Sequence, residues 1–243
     1  MITQEYPATV EEALTVPGGS YFPEVKRDTH IVKEELEGKL KRYVALDYGL
    51  DMLSAHWIQV DTKGNAQVYR EYDAPDKTIG AACDILKSLS AGEEINYWLA
   101  PSDLWSRSQE TGKSRAILFS ENGISLTKTS RDLEAGCSSM KEWLKPIDKH
   151  PKLTILDGCA PNLYRCLQKI QKDKKRPNIY AKDPHDLTHD VDSLRSFCVW
   201  WVRSPEIDYE VIETRRHSSI LEDIENASPE DREYLLQKYG EPV

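Results

Sequence analysis

The chain has 243 residues, 39% of them hydrophobic, and its 41 acidic and 32 basic side chains give a formal net charge of −9. That length can bury a full core and fits one large domain with an appended segment, or two small ones. No run reaches the ~18 apolar residues of a membrane helix and no signal-peptide pattern opens the sequence, so a soluble, intracellular protein is expected.

The five cysteines, Cys83, Cys137, Cys159, Cys166 and Cys198, are odd in number and lack C-x-x-C spacing, which points to reduced, mostly buried thiols. A negative total argues superficially against a nucleic-acid partner, but it conceals a division. Residues 105–182 carry 16 Lys and Arg against 8 Asp and Glu, whereas 205–243 carry 4 against 11. A basic middle is compatible with a polyanion-binding face, because the local field steers a ligand. Solvated Lys-rich helices would show the same counts.

Taken in order, residues 5–14 have the marks of a short helix broken by Pro17-Gly18-Gly19, and 28–39 of a polar helix. Three strands follow, 42–47, 53–61 and 66–72, the last two joined by Thr62-Lys63-Gly64-Asn65 as an antiparallel hairpin. Ile79, Ala82, Cys83, Leu86 and Leu89 recur at helical spacing within 76–90. Then come a strand at 94–99, a helix at 111–122, a strand at 124–127, a helix at 130–144, a strand at 152–156 and a basic helix at 161–172. Asp183-Pro184 is placed to cap a last core helix that runs through Trp200-Trp201. In the acidic tail, Ser228-Pro229-Glu230-Asp231 begins one more helix that ends at Gly240. The expected fold class is α/β, a mixed sheet formed by a three-strand antiparallel meander and then alternating helices and strands, with helices on both faces.

Three places carry chemistry. Tyr43-Val44-Ala45-Leu46-Asp47-Tyr48-Gly49 is an apolar strand ending on a carboxylate and a glycine turn, which suits a metal ligand and equally a strand cap. In Asp183–Arg195, His185, His189 and Asp192 are spaced i, i+4, i+7 and share one helix face, while Asp186 and Asp190 share a neighbouring one. The helix dipole accounts for acids in a first turn but not for Asp192, more than two turns in. Between these clusters, Ala100-Pro101-Ser102-Asp103 places Asp103 on the loop after a strand. Three carboxylates at element ends suit two divalent ions about 3.5–4 Å apart, the arrangement for in-line phosphodiester cleavage. Oxygen ligands select Mg²⁺ or Mn²⁺. Thr111-Gly112-Lys113-Ser114 is not a phosphate loop, because Arg107 stands where the first glycine is needed.

In this order and spacing, the motifs resemble the nuclease domain of the large terminase subunit of tailed bacteriophages, a ribonuclease H-like fold. Glu5-Tyr6-Pro7-Ala8-Thr9 with Glu12-Ala13 resembles the passage from that family's ATPase domain to its nuclease. Leu46-Asp47-Tyr48-Gly49 resembles the first catalytic strand, and Gly123-Ile124, Lys128, Arg131 and Gly136 resemble the middle stretch. His189-x-x-Asp192-Ser193-Leu194-Arg195 resembles the closing His-x-x-Asp-Ala-x-Arg-Tyr. The resemblance implies Asp47 and Asp192 as metal ligands. Many members carry the second acid before Pro-Ser, where this chain has Ala100. Either Asp103 supplies that carboxylate, the choice favoured here, or Ala100 marks a lost ligand.

The implied protein is a Mg²⁺- or Mn²⁺-dependent endonuclease using two ions to cut concatemeric duplex DNA during phage genome packaging, in the cytoplasm of the bacterial host. Asp47, Asp103 and Asp192 would be catalytic ligands, and His189 would complete a metal shell or orient water. Lys113, Arg115, Lys128 and Arg131 would contact phosphates without reading sequence. A portal protein and a small terminase subunit would be partners, with no membrane involved. The expected division is 1–41, a linker from an upstream ATPase domain that the missing nucleotide loop places outside the chain; 42–204, the nuclease domain; and 205–243, an acidic tail. A resolvase- or integrase-type nuclease and a non-catalytic portal-docking module are the alternatives.

Overall fold

Apolar residues in the central strands are not confined to one face: along β2 (Lys41–Tyr48), Tyr43, Val44, Ala45 and Leu46 are all fully buried. Such a strand needs cover on both sides, and a computed structural model, describing residues 19–49 and 51–203, supplies it. β2 pairs antiparallel with β3 (Leu53–Val60), and β3 with β4 (Ala66–Ala74), which is the expected meander. Asp61 closes the β3–β4 connection, its Oδ1 accepting from the amides of Lys63 and Asn65 at 2.8 Å, while Gly64 takes the left-handed φ of 79°.

The remaining strands add in parallel. β5 (Tyr97–Ala100) joins β2 and β6 (Leu126–Lys128) joins β5, while β7 (Leu153–Leu156) joins β4 and β1 (Ile31–Val32) joins β7. The order across the seven strands is β1-β7-β4-β3-β2-β5-β6. After the short α1 (Arg27–His30), five helices cover the two faces. Met140 and Trp143 of α4 (Leu133–Leu144), Leu163 and Leu167 of α5 (Pro161–Lys169), and Leu194 and Phe197 of α6 (Thr188–Arg203) pack with Tyr43, Ala45, Ile58 and Leu99. On the other face, Leu86 of α2 (Ile79–Leu89) and Phe119 of α3 (Arg115–Glu121) pack with Val44, Leu46, Trp57 and Ala100.

Hydroxyl and carboxylate caps set three helix starts: Thr78 accepts from Ala81, Ser114 from Ile117 and Asp132 from Ala135. Hence α3 and α4 begin three or four residues later than the sequence suggests, at the residue after the capping side chain. The last core helix also starts later than Asp183, with a 3-10 turn over His185–Leu187 in front of it. The polar helix expected over 28–39 shrinks to α1, because Ile31 and Val32 take strand partners in Ile155 and Leu156. Nor is the described part of the expected linker bare chain: Tyr21, Phe22 and Val25 are buried in the same cluster as α4, α5 and α6. The Tyr21 amide donates to the Ile170 carbonyl at 2.8 Å. The segments 1–18 and 204–243, with the helices expected at 5–14 and 228–240, lie outside the described residues.

Candidate metal centre

Strand alternation puts Asp47 on the face shared by Tyr43 and Ala45, and α6 crosses that face. Asp47 Oδ2 lies 3.0 Å from His189 Nδ1, and His189 Nε2 lies 3.2 Å from Asp51 Oδ2. His185 Nε2 reaches the same Asp51 oxygen at 3.3 Å, and the two imidazole rings meet edge-on. With a carboxylate on each ring nitrogen, His189 has its pKa raised, first by the hydrogen bond to Asp47. Asp51 sits in the turn after β2. The Gly49 amide closes that turn on the Met52 carbonyl at 2.8 Å, and a Cβ at Gly49 would lie 2.6 Å from Asp51 Oδ1. Glycine there is what lets the Asp51 side chain fold back over the turn.

Asp192 is held from one side. Its Oδ1 accepts from the Tyr180 hydroxyl and, at 2.9 Å, from Arg195 Nε, so the other carboxylate oxygen takes part in neither bond. Burial and the adjacent Asp192 charge raise the Tyr180 pKa well above its ordinary value, which keeps the hydroxyl a donor. Arg195 and Asp192 stand three residues apart on α6, and the stem of Arg195 lies against Gly136 of α4: a Cβ there would lie 2.7 Å from Arg195 Cγ and 2.8 Å from Cδ. In an open helix, Gly→Ala is stabilising. Here Gly136→Ala is expected to lose about 1–3 kcal/mol in denaturant unfolding through overpacking. An unchanged or higher midpoint would contradict this close packing.

Asp103 lies on a 3-10 turn (Ser102–Trp105) after β5. Its Oδ2 accepts from Arg115 at 2.9 Å, and the same guanidinium donates to the Tyr48 carbonyl at 3.1 Å, which ties the turn to the end of β2. Asp47 and Asp192 thus lie on β2 and on the helix that crosses its face, and Asp103 is tied to the end of β2 through Arg115. Burial pushes the Asp47 carboxyl above its ordinary pKa, the hydrogen bond from His189 opposes that shift, and the nearby Asp192 and Asp103 charges push it further up. Carboxylates with an imidazole are a donor set whose chemistry fits Mg²⁺ or Mn²⁺.

Ala100 faces elsewhere. The register Ala45↔Leu99 puts Leu99 on the Asp47 side, and Ala100 is fully buried in the opposite apolar layer. Of the four basic candidates, Lys128 and Arg131 line an open cavity of about 390 Å³ with Ser102, Trp105 and Ser130, next to Asp103. Lys128 Nζ stands 5.8 Å over the Trp105 ring. Arg115 is directed at Asp103, and Lys113 pairs with Glu121 at 2.6 Å on the exposed side of α3. Tyr180 and Asp51 were not singled out from sequence; a tyrosine in an irregular stretch and an aspartate in a turn carry no periodic signal.

The strand order, the two covered faces and the helix crossing the central strand define the class: this is the ribonuclease H-like α/β fold of phage large-terminase nuclease domains. In particular, the chain is similar to the large terminase of a thermophilic bacteriophage, at 18% identity and a TM-score of 0.60, over 75% of this chain and 44% of that one. It is also similar to the large terminase nuclease of another thermophilic phage, G20c, at 15% identity and a TM-score of 0.51, over 75% of this chain and 97% of that one. The G20c nuclease with bound magnesium matches with the same TM-score of 0.51 at 14% identity, over 76% of this chain and 97% of that one. At these identities the likeness establishes the fold. The chain spans less than half of the first of these terminases. No family model and no curated protein matches the sequence.

Proposed function

We propose that this domain is a divalent-metal-dependent endonuclease that cuts concatemeric double-stranded DNA during phage genome packaging. The observation that carries the reading is the junction of β2 and α6, where Asp47 Oδ2 meets His189 Nδ1 at 3.0 Å on the helix that also carries Asp192. On this reading Asp47, Asp103 and Asp192 hold two Mg²⁺ or Mn²⁺ ions. The ions supply the Lewis acidity that phosphodiester hydrolysis needs at neutral pH.

The protein's own groups do the rest. Tyr180 and Arg195 fix the Asp192 carboxylate in one rotamer, and His189 orients Asp47 while Asp51 holds the far side of its ring. Lys128 and Arg131, beside Asp103, bind backbone phosphates and place the duplex across the three acids, giving contacts that position without specifying sequence. A portal protein and a small terminase subunit complete the proposed packaging machinery, and the site of action is the bacterial host cytoplasm.

Incubation with linear plasmid DNA tests the reading. Fragmentation is expected with Mn²⁺ or Mg²⁺ and none with EDTA. Intact DNA in the presence of either ion would leave a non-catalytic docking module as the better account.

A further inference from the structure

We propose that His56, Glu71 and Asp190 form a second, buried metal site, suited to one zinc-class transition-metal ion and made of residues other than Asp47, Asp103 and Asp192. Period-two alternation puts Ser54 and His56 of β3 on the face covered by α6. The register His56↔Glu71 and Ser54↔Asp73 sets two acids of β4 beside them. From α6, Asp190 and Ser193 descend onto the same spot. Three carboxylates and one imidazole thus sit behind the apolar layer, and among the described residues the ion pairs of Glu71 and Asp190 are with His56 alone.

The hydrogen bonds fix the state of His56. The Ser193 hydroxyl donates to the Ala45 carbonyl at 2.8 Å, so its oxygen accepts from His56 Nδ1–H at 2.9 Å. That leaves Nε2 facing Glu71 Oε2 at 3.8 Å and Asp190 Oδ1 at 3.6 Å, both beyond hydrogen-bond range. Nε2 and Asp190 Oδ1 are buried without a hydrogen-bond partner, as is Asp73 Oδ1. A histidine anchored through one N–H with its other nitrogen turned to carboxylates is the arrangement metal-binding histidines adopt.

The acids are oriented as well. Glu71 accepts from the amides of Asn162 and Leu163 at the start of α5, at 3.0 and 3.1 Å. Asp73 accepts from the Asn162 side chain at 3.2 Å, and Asp190 Oδ2 accepts from the Cys166 thiol at 3.4 Å. The candidate ligand atoms of His56, Glu71 and Asp190 all lie within 4.8 Å of one another. A four-coordinate zinc with bonds of about 2.0–2.1 Å separates its ligands by roughly 3.3 Å, and His56 Nε2 already stands 3.8 Å from Glu71 Oε2 and 3.6 Å from Asp190 Oδ1. Asp73, two residues along β4 from Glu71 and on the same face, keeps its Oδ1 buried without a hydrogen-bond partner. One imidazole with carboxylates favours zinc over magnesium, which keeps a water-rich oxygen shell.

A proton on His56 is the competing occupant: burial lowers its pKa, but Asp190, with Asp73 and Glu71, outweighs burial and raises it. Metal analysis of the full chain, together with Co²⁺ and Zn²⁺ titration of EDTA-stripped protein, decides between them. The expected result is about one tightly held zinc per chain, a visible absorption band of tetrahedral Co²⁺, and a higher melting temperature with Zn²⁺. All three should persist in Asp47→Asn and disappear in Glu71→Gln and His56→Gln. The readouts are binding and melting, so they stand whether or not the protein cuts DNA. No zinc, no cobalt band and no melting shift in the unsubstituted chain would assign the site to the proton. Full metal content retained in both Glu71→Gln and His56→Gln would place the ion elsewhere and overturn the proposal.

Discussion

Asp47→Asn is expected to abolish metal-dependent cutting, with a rate loss of at least about a thousandfold, or about 4 kcal/mol in the barrier. The substitution keeps the shape of the side chain and its acceptor toward His189 while removing the charge. Its effect on stability is expected to run the other way. A carboxyl whose folded pKa is raised binds its proton more tightly when folded, so the metal-free folded state loses stability as pH rises past the unfolded pKa of about 3.9. At neutral pH, in EDTA, the asparagine variant should therefore melt no lower than the parent protein. A variant that cuts at the parent rate removes Asp47 from the site, and one that melts far lower makes it a structural residue.

Asp103→Ala and Ala100→Asp form the second test, and opposite outcomes are expected. Asp103 is half-exposed, at 50% of its side-chain surface, and its pairing with Arg115 is a surface ion pair. Removing it should cost no more than about 1 kcal/mol of stability while weakening Mn²⁺ dependence and lowering cutting by about a hundredfold, or about 2.7 kcal/mol in the barrier. Ala100→Asp instead puts a carboxylate among Val44, Leu46 and Phe119 in a fully buried position. An unpaired buried charge there should lower the unfolding free energy by several kcal/mol without raising activity. If Asp103→Ala is harmless and Ala100→Asp raises cutting, the second ligand belongs at position 100 and the Asp103 assignment falls.

The meander was legible in the sequence because its turn chemistry is local: Asp61, Gly64 and Asn65 close a hairpin between two strand-forming runs. Asp47 stood out because an apolar strand ended on it, and His189 and Asp192 because helical spacing puts them on one face of α6, whereas His185 lies on the 3-10 turn before that helix. The position of β7 between β1 and β4 was not legible, since Gln67 pairs with Thr154 through contacts that only the folded chain brings together. Tyr180 and the buried row of His56, Glu71 and Asp73 were hidden for the same reason. Each is an ordinary residue in its own stretch and gains a role only from what lies opposite. The expected helix over 28–39 shows the converse, a local polar pattern overruled by strand pairing at Ile31 and Val32.

The way the chain enters the sheet has a mechanical consequence. Ser20 bridges to Gln171, the Tyr21 amide bonds to Ile170, and Lys141 lies 4.0 Å over the Tyr21 ring, before β1 joins β7 in parallel. A pull applied at Gly19 therefore meets no slack. Tension there would bear first on the contacts of Ser20 and Tyr21 with Gln171, Ile170 and Lys141. The helix that carries His189 and Asp192 is thus packed in the same buried cluster as the first described residues of the chain.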